Sequence, residues 1–103
     1  MSGFMRLSGR QQVQLPSWLY ISGVTYTNPN SQAVTIPSTA TIVEIDAEDA
    51  ECYYEINSAS ANANSYGYVP SEGGRILGPL ANLTSLYVHG TSSIVHIQFF
   101  REA

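Results

Sequence analysis

Apolar and polar residues alternate with a period of two along most of this chain, which is the pattern of half-buried β-strands. The last two alternating segments, residues 85–89 and 94–100, are joined by the polar linker 90–93, which begins with Gly90. A glycine in so short a linker favours a tight hairpin. One face of the predicted hairpin is then fully apolar. Its members are Leu86, Val88, Val95, Ile97 and Phe99.

The other face of this hairpin mixes aromatic, apolar and polar side chains, whereas an antiparallel sheet in a lone domain usually alternates more cleanly. It carries Tyr87, His89, Ile94, His96, Gln98 and Phe100. Aromatic residues on both faces indicate a second layer, a bound partner or another copy of the chain. We therefore predict that four of these residues form a self-association face. They are Tyr87, Ile94, His96 and Phe100.

The rest of the chain shows the same alternation in shorter segments. Strands are predicted at residues 18–26, 32–36, 41–46, 51–56, 66–69 and 75–77. Turn residues recur about every 8–12 residues, as they do in sandwiches and barrels, and no segment has convincing helical spacing. We predict an all-β fold over residues 17–103, either a single antiparallel β-sandwich or a jelly-roll-like barrel.

A second hairpin is predicted from segments 41–46 and 51–56, which are separated by a short acidic turn. Its inward residues are Val43, Ile45, Cys52, Tyr54 and Ile56. Segment 57–65 has no apolar residue larger than alanine, so we expect an exposed loop there.

Residues 1–16 are rich in glycine, serine and glutamine and are predicted to form an extended N-terminal arm. The arm is either a disordered terminus or a segment that becomes ordered on a neighbouring subunit. On the second interpretation its apolar and cationic residues are the predicted docking residues. They are Phe4, Arg6, Leu7 and Arg10.

The composition narrows the possible partners. The 103 residues suffice for one domain, and charged residues make up only 12%, with no lysine and a net charge of −4. The low charge is common on surfaces that pack against other proteins, and the negative balance argues against binding nucleic acid. No apolar run approaches the ~20 residues that span a bilayer, and no signal peptide is evident. We expect no membrane partner and assembly in a cytoplasm.

Candidate chemistry is sparse in this sequence. The acidic stretch 44–51 matches no calcium loop and is either a solvated turn, a patch for a basic partner or a site for a hard cation. His89 and His96 are expected to lie near each other, but two histidines are too few for a structural zinc site. The single cysteine, Cys52, excludes an intramolecular disulfide. We predict no catalytic residue, no metal and no cofactor.

Aromatic residues provide one further possibility, a groove that binds sugars. The candidates are Trp18, Tyr20, Tyr26, Tyr66 and Tyr68. The alternative is that these are ordinary strand residues, because aromatic side chains are favoured in strands.

Three segments between Ala33 and Phe100 resemble a known family. They read AVTIPSTATIVEID, then INSASANANSYGYVP followed by SEGGRILGPL, and finally LTSLYVHGTSSIVHIQFF. An isoleucine-proline strand, a glycine-rich turn before a short apolar strand and a final LYV-x-G segment are similar to the small β-sandwich virion proteins of tailed bacteriophages. These are the capsid decoration or cement proteins and their head-spike relatives.

The resemblance implies a protein without enzymatic activity, often a trimer, that clamps the joints of an icosahedral shell. Its partner is then the major capsid protein and its location the virion surface. The expected function is therefore that of a capsid decoration protein. The alternative is a carbohydrate-binding module of a phage fibre or spike.

Overall fold

The computed structural model of this chain describes residues 4–7, 11–14 and 17–103, and these residues contain ten strands and no helix. The strands are β1 (Phe4–Leu7), β2 (Gln11–Gln14), β3 (Trp18–Thr27), β4 (Gln32–Ala33), β5 (Ile42–Glu48), β6 (Cys52–Ile56), β7 (Gly67–Val69), β8 (Gly74–Leu77), β9 (Leu86–His89) and β10 (Ile94–Glu102). Strands β3 to β10 form two four-stranded antiparallel sheets that pack as a sandwich. The prediction of an all-β sandwich is confirmed.

The pairing of the eight sandwich strands is nested. The first strand pairs with the last, β3 with β10, and the next pairs inward are β4 with β9, β5 with β8 and β6 with β7. The front sheet has the order β3-β10-β5-β8, and the back sheet has the order β4-β9-β6-β7. This is the arrangement of a long antiparallel hairpin rolled up into two layers, which defines a jelly roll.

Both predicted hairpins are wrong as strand pairs. β5 and β6 lie in different sheets, and so do β9 and β10. The alternation of apolar residues fixes which side chains face the core, but a hairpin and a crossover between sheets satisfy it equally well. Gly90 has a packing role here, because a Cβ at this position would lie 2.8 Å from the Cβ of Ser93 and 3.2 Å from that of Cys52.

The core lies between the inner faces of the two sheets. The front sheet contributes Val43, Ile45, Ala47, Val95, Ile97 and Phe99, and the back sheet contributes Cys52, Val69, Leu86 and Val88. The inward orientation predicted for Val43, Ile45 and Cys52 is confirmed, and Tyr54 and Ile56 pack against this core while staying partly exposed. The connection between β6 and β7 is mostly exposed, as predicted, although Ala61 within it is buried.

Residues 4–7 and 11–14 form a two-stranded antiparallel sheet, β1-β2, in the segment where we predicted an extended arm. Phe4 is paired with Gln14 and Leu7 with Gln11. Neither four-residue strand has a clear alternation of apolar and polar residues, so the sequence pattern does not reveal them.

One end of the sandwich is held together by Ser93, which is completely buried. Its hydroxyl donates a hydrogen bond to the carbonyl oxygen of Ala50 at 2.8 Å, and its own carbonyl accepts one from the Asn28 N–H at 2.7 Å. The Gly90 N–H donates to the Pro29 carbonyl at 2.9 Å. Three of the connections between sheets, β3 to β4, β5 to β6 and β9 to β10, are therefore joined to one another at this end.

We predict that Ser93→Ala destabilises the protein by about 1–3 kcal/mol, because the substitution leaves the partly buried Ala50 carbonyl without its side-chain donor. Chemical denaturation in urea measures this loss. Ser71→Ala, at an exposed turn position, is the matched control and should stay within about 0.5 kcal/mol. Equal effects of the two substitutions would contradict the role assigned to Ser93.

Candidate functional site

The outer face of the front sheet, called here the front face, carries the most varied chemistry of the described residues. Strand register places its side chains in rows across β3, β10 and β5. One row is Thr25, His96 and Asp46, the next is Gly23, Gln98 and Glu44, and the next is Tyr20, Phe100 and Ile42. Polar residues thus occupy the middle of the front face and aromatic residues one end.

The aromatic end of the front face depends on an irregularity in β3. The register shifts between Phe99 and Phe100, so that Phe99 is opposite Ser22 and Phe100 is opposite Tyr20, with Ile21 as the extra residue. The Phe100 ring packs against Trp18 at a centroid distance of 5.9 Å and against Tyr20 at 5.8 Å with an interplanar angle of 70°. Tyr20 stays 60% exposed within this cluster, so most of its ring is available for contact.

A hollow of about 330 Å³ lies beside Tyr20 on the front face. It is lined by Tyr20, Gly23, Val24, Thr25, His96, Ile97 and Gln98. Gly23 is part of its lining, and a Cβ there would lie 3.0 Å from the Tyr20 hydroxyl and 3.2 Å from the Ile97 carbonyl oxygen. The glycine thus lets the Tyr20 hydroxyl lie close to the strand backbone.

A chain of hydrogen bonds crosses three strands next to the hollow. The Glu48 Oε1 atom is 2.8 Å from His96 Nε2, and His96 Nδ1 is 3.0 Å from the Thr25 hydroxyl. When the neutral imidazole donates from Nε2 to the carboxylate, Nδ1 is left as an acceptor, and the Thr25 hydroxyl donates to it. The lone pairs of that hydroxyl are then free to accept hydrogen bonds from a ligand.

The same order of carboxylate, imidazole and hydroxyl activates nucleophiles in hydrolases, where a water-excluded site and preorganised donors for the developing oxyanion supply much of the effect. On the front face the His96 and Glu48 side chains are 42% and 48% exposed. Because this position is open to water, the direct consequence of the Glu48–His96–Thr25 hydrogen bonds is that they fix the direction of the Thr25 hydroxyl.

Most of the acidic stretch 44–51 belongs to strand β5 and not to a turn. Glu44, Asp46 and Glu48 lie on β5 and point outward as an acidic row on the front face, and only Asp49 and Glu51 belong to the turn. Burial, and secondarily the nearby Asp46 carboxylate, raises the pKa of Glu44 above its usual value. In the part of the chain that the structure describes, no three histidine, cysteine or carboxylate side chains could jointly hold a metal ion.

Strand β3 is one edge of the front sheet and is the longest strand, with ten residues. It contains no charged residue and no proline, although native proteins commonly use both to protect an edge from pairing with another chain. Its exposed large apolar residues are Trp18, Leu19, Tyr20 and Val24. The edge therefore combines an extended backbone with apolar side chains suited to a protein partner.

The predicted self-association residues do not share one surface. Tyr87 lies on β9 and faces outward from the back sheet, whereas Ile94, His96 and Phe100 lie on β10 and belong to the front face. His89 and His96 are separated in the same way, because each is on the outer side of a different sheet. Among the described residues, His89 Nδ1 accepts a hydrogen bond from the Ser31 N–H at 3.3 Å.

The predicted docking residues Phe4, Arg6 and Leu7 lie on β1, and Arg10 lies outside the described residues. The candidate sugar-binding aromatics are spread over the molecule. Trp18 and Tyr20 belong to the front face, Tyr26 packs against the core, Tyr66 is in an exposed loop and Tyr68 contacts Tyr53 on the back sheet.

Cys52 is buried in the core, and burial raises the pKa of its thiol to about 11, with a smaller contribution from Asp46. A thiol in this state is protonated at neutral pH and acts as a small core residue.

The sequence analysis missed Thr25 and Glu48 as partners of His96, since they are 71 and 48 residues away along the chain. The nested order of strands is the signal that would have found them, because it aligns Thr25 with His96 and places Glu48, opposite Ile94, diagonally across from His96.

Comparison of the chain with protein-family models, with curated proteins and with solved structures finds no match. The described residues also contain no helix that could span a membrane. The fold defines the class, a jelly-roll β-sandwich in which β3, among the described residues, pairs only with β10 at the edge of the front sheet.

We predict that Glu44→Gln stabilises the protein slightly at pH 7, by up to about 0.5 kcal/mol. The raised pKa means that the folded state disfavours the carboxylate, so the unfavourable contribution is present above the raised pKa and is relieved as the pH falls toward the usual value of 4.5. Thermal unfolding at several pH values should show a gain that shrinks as the pH is lowered through this range. Glu51→Gln, in the exposed turn, is the control, and a gain from Glu44→Gln that is independent of pH would refute the assignment.

Proposed function

We propose that this protein is a structural component of a tailed-phage virion, a decoration protein that binds the major capsid protein and stabilises the head shell. It would assemble in the host cytoplasm, remain on the virion surface and have no enzymatic activity. The observation that carries the proposal is the edge strand β3, since a ten-residue uncharged edge with exposed apolar residues is a liability for a protein that stays alone.

The fold supports the same proposal by analogy. Double-sheet jelly rolls occur in viral capsid proteins and in lectin domains, and the resemblance noted in the sequence is to virion proteins. Because one fold serves many functions, this support is weaker than that of the edge strand.

Two different surfaces would make the contacts needed for assembly. The N-terminal segment, through Phe4, Arg6, Leu7 and Arg10, would contact the shell. The β3 edge would join copies of the chain into a trimer. With Tyr87 on the opposite side of the sandwich and His96 lining the hollow on the front face, the proposed self-association surface becomes the outer backbone edge of β3 with Leu19, together with the neighbouring Ile94 and Phe100.

Shell binding is tested by co-sedimentation with shells assembled from the major capsid protein of the same phage. The full chain is expected to sediment with the shells. A chain lacking residues 1–12 should stay in the supernatant while keeping its circular dichroism spectrum. A variant with alanine at positions 4, 6, 7 and 10 should behave like the truncated chain.

Failure of the full chain to bind shells would overturn the decoration function. Retained binding by the truncated chain would leave the function in place and show that docking uses another surface.

Self-association is tested by the solution mass from light scattering. We expect a trimer for the natural chain and a monomer for Leu19→Lys, because a charge on the edge opposes pairing with another strand. Tyr66→Lys is the control, since Tyr66 is 99% exposed but lies in the loop between β6 and β7. A monomeric natural chain would refute the assembly argument, and a dimer would show pairing across a two-fold axis instead of a trimer.

A further inference from the structure

We propose that the hollow on the front face is a binding site for one ring of a neutral saccharide. The inference is independent of shell binding and rests on three features of the hollow: its size, its aromatic wall and the hydrogen-bonding groups around it.

The size of the hollow suits a small ligand. Its volume of about 330 Å³ is at the lower end of the roughly 300–1,000 Å³ of ligand sites. Gly23 is part of the lining, and a side chain there would meet both Tyr20 and the backbone of β10. A glycine inside a strand weakens it and often marks a place where another group approaches the backbone.

Tyr20 supplies an aromatic wall that is already in position. Its ring is held by Phe100 in an edge-to-face contact at 5.8 Å and is nevertheless 60% exposed. The C–H groups on one side of a pyranose ring carry partial positive charge, so they are attracted to the negative face of an aromatic ring. A ring fixed in advance also loses little conformational freedom on binding.

The polar groups around the hollow match the hydroxyls of a sugar. When the Thr25 hydroxyl donates to the neutral His96 imidazole, it is left as an acceptor, and the Gln98 side chain offers both a donor and an acceptor. The Tyr20 hydroxyl can do either. Each sugar hydroxyl also donates and accepts, so neighbouring hydroxyls can satisfy this mixed set.

The charges next to the hollow select against anionic ligands. Asp46 is the direct neighbour of His96 across the sheet, and Glu44 is the neighbour of Gln98. With Glu48 bonded to His96, three carboxylates flank the site on β5. Repulsion would disfavour a uronic acid or a phosphate, and the ligand class is therefore a neutral saccharide.

The test uses the full chain labelled with ¹⁵N. Glucose, galactose, mannose and N-acetylglucosamine are titrated into it separately, and NMR measures the chemical shifts of the backbone amides. At least one sugar should shift the amides of Gly23, Thr25 and Gln98. Thr25→Val, which keeps the side-chain shape and removes the hydroxyl, should weaken binding roughly five- to tenfold, as the loss of one hydrogen bond predicts. Thr27→Val, on the same strand and the same face, should bind normally.

Tyr20→Leu provides a second, separate test of the aromatic wall and should weaken binding about three- to tenfold, whereas Tyr66→Leu should not. The proposal fails if none of the four sugars shifts these amides, or if the shifts cluster around Tyr66 and Tyr68 instead. Equal weakening by Thr25→Val and Thr27→Val would also overturn it. Tighter binding of glucuronate than of glucose would overturn the assignment to neutral saccharides.

Discussion

The buried residue Ser93 links three of the connections that carry the chain from one sheet to the other. It bonds to Ala50 in the β5–β6 connection, while the Ser93 carbonyl bonds to Asn28 in the β3–β4 connection. Without these links the three connections would be separate loops, each with its own freedom to move the strands it joins. Their common anchor keeps the two sheets in one relative position, with the core enclosed between their inner faces.

The two faces of the front sheet have different roles, which explains how a small domain can combine a stable core with a candidate binding site. The inner side chains of β5 and β10, among them Ile45, Ile97 and Phe99, are completely or almost completely buried and supply much of the core. The outer positions on the same strands are released from packing, so they can hold His96, Gln98 and the acidic row. A change at one of these polar outer positions therefore costs the fold little.

The sequence was sufficient to predict the class of fold and most of the inward-facing residues, because both follow from the local alternation of apolar and polar residues. It was insufficient for strand pairing. The linker 90–93 is short enough for a hairpin, yet it crosses between sheets, and the same is true of the turn after β5. Only contacts far apart in sequence, such as those of Ser93 with Asn28 and Ala50, decide between the two possibilities.

This error in pairing accounts for the errors in the predicted site. Tyr87 and Phe100 share a face only if β9 and β10 are neighbours, and His89 lies near His96 only on the same condition. The residues that do surround His96 come from β3 and β5, which local patterns could not bring together. The N-terminal strands were missed for a different reason, since their short segments have no alternation to detect.

Charge is distributed unevenly across the front sheet, and this distribution suggests two kinds of contact. β3 at the edge has no charge, whereas β5 in the interior of the sheet carries three outward carboxylates. Another protein chain can add to the edge through backbone hydrogen bonds without removing water from a charged group, which keeps the cost of desolvation low. The hollow lies between these regions, where Tyr20 offers an apolar surface and Thr25 and Gln98 offer hydrogen bonds. A neutral ligand with both apolar and hydroxyl groups fits this boundary better than a fully apolar or an anionic one.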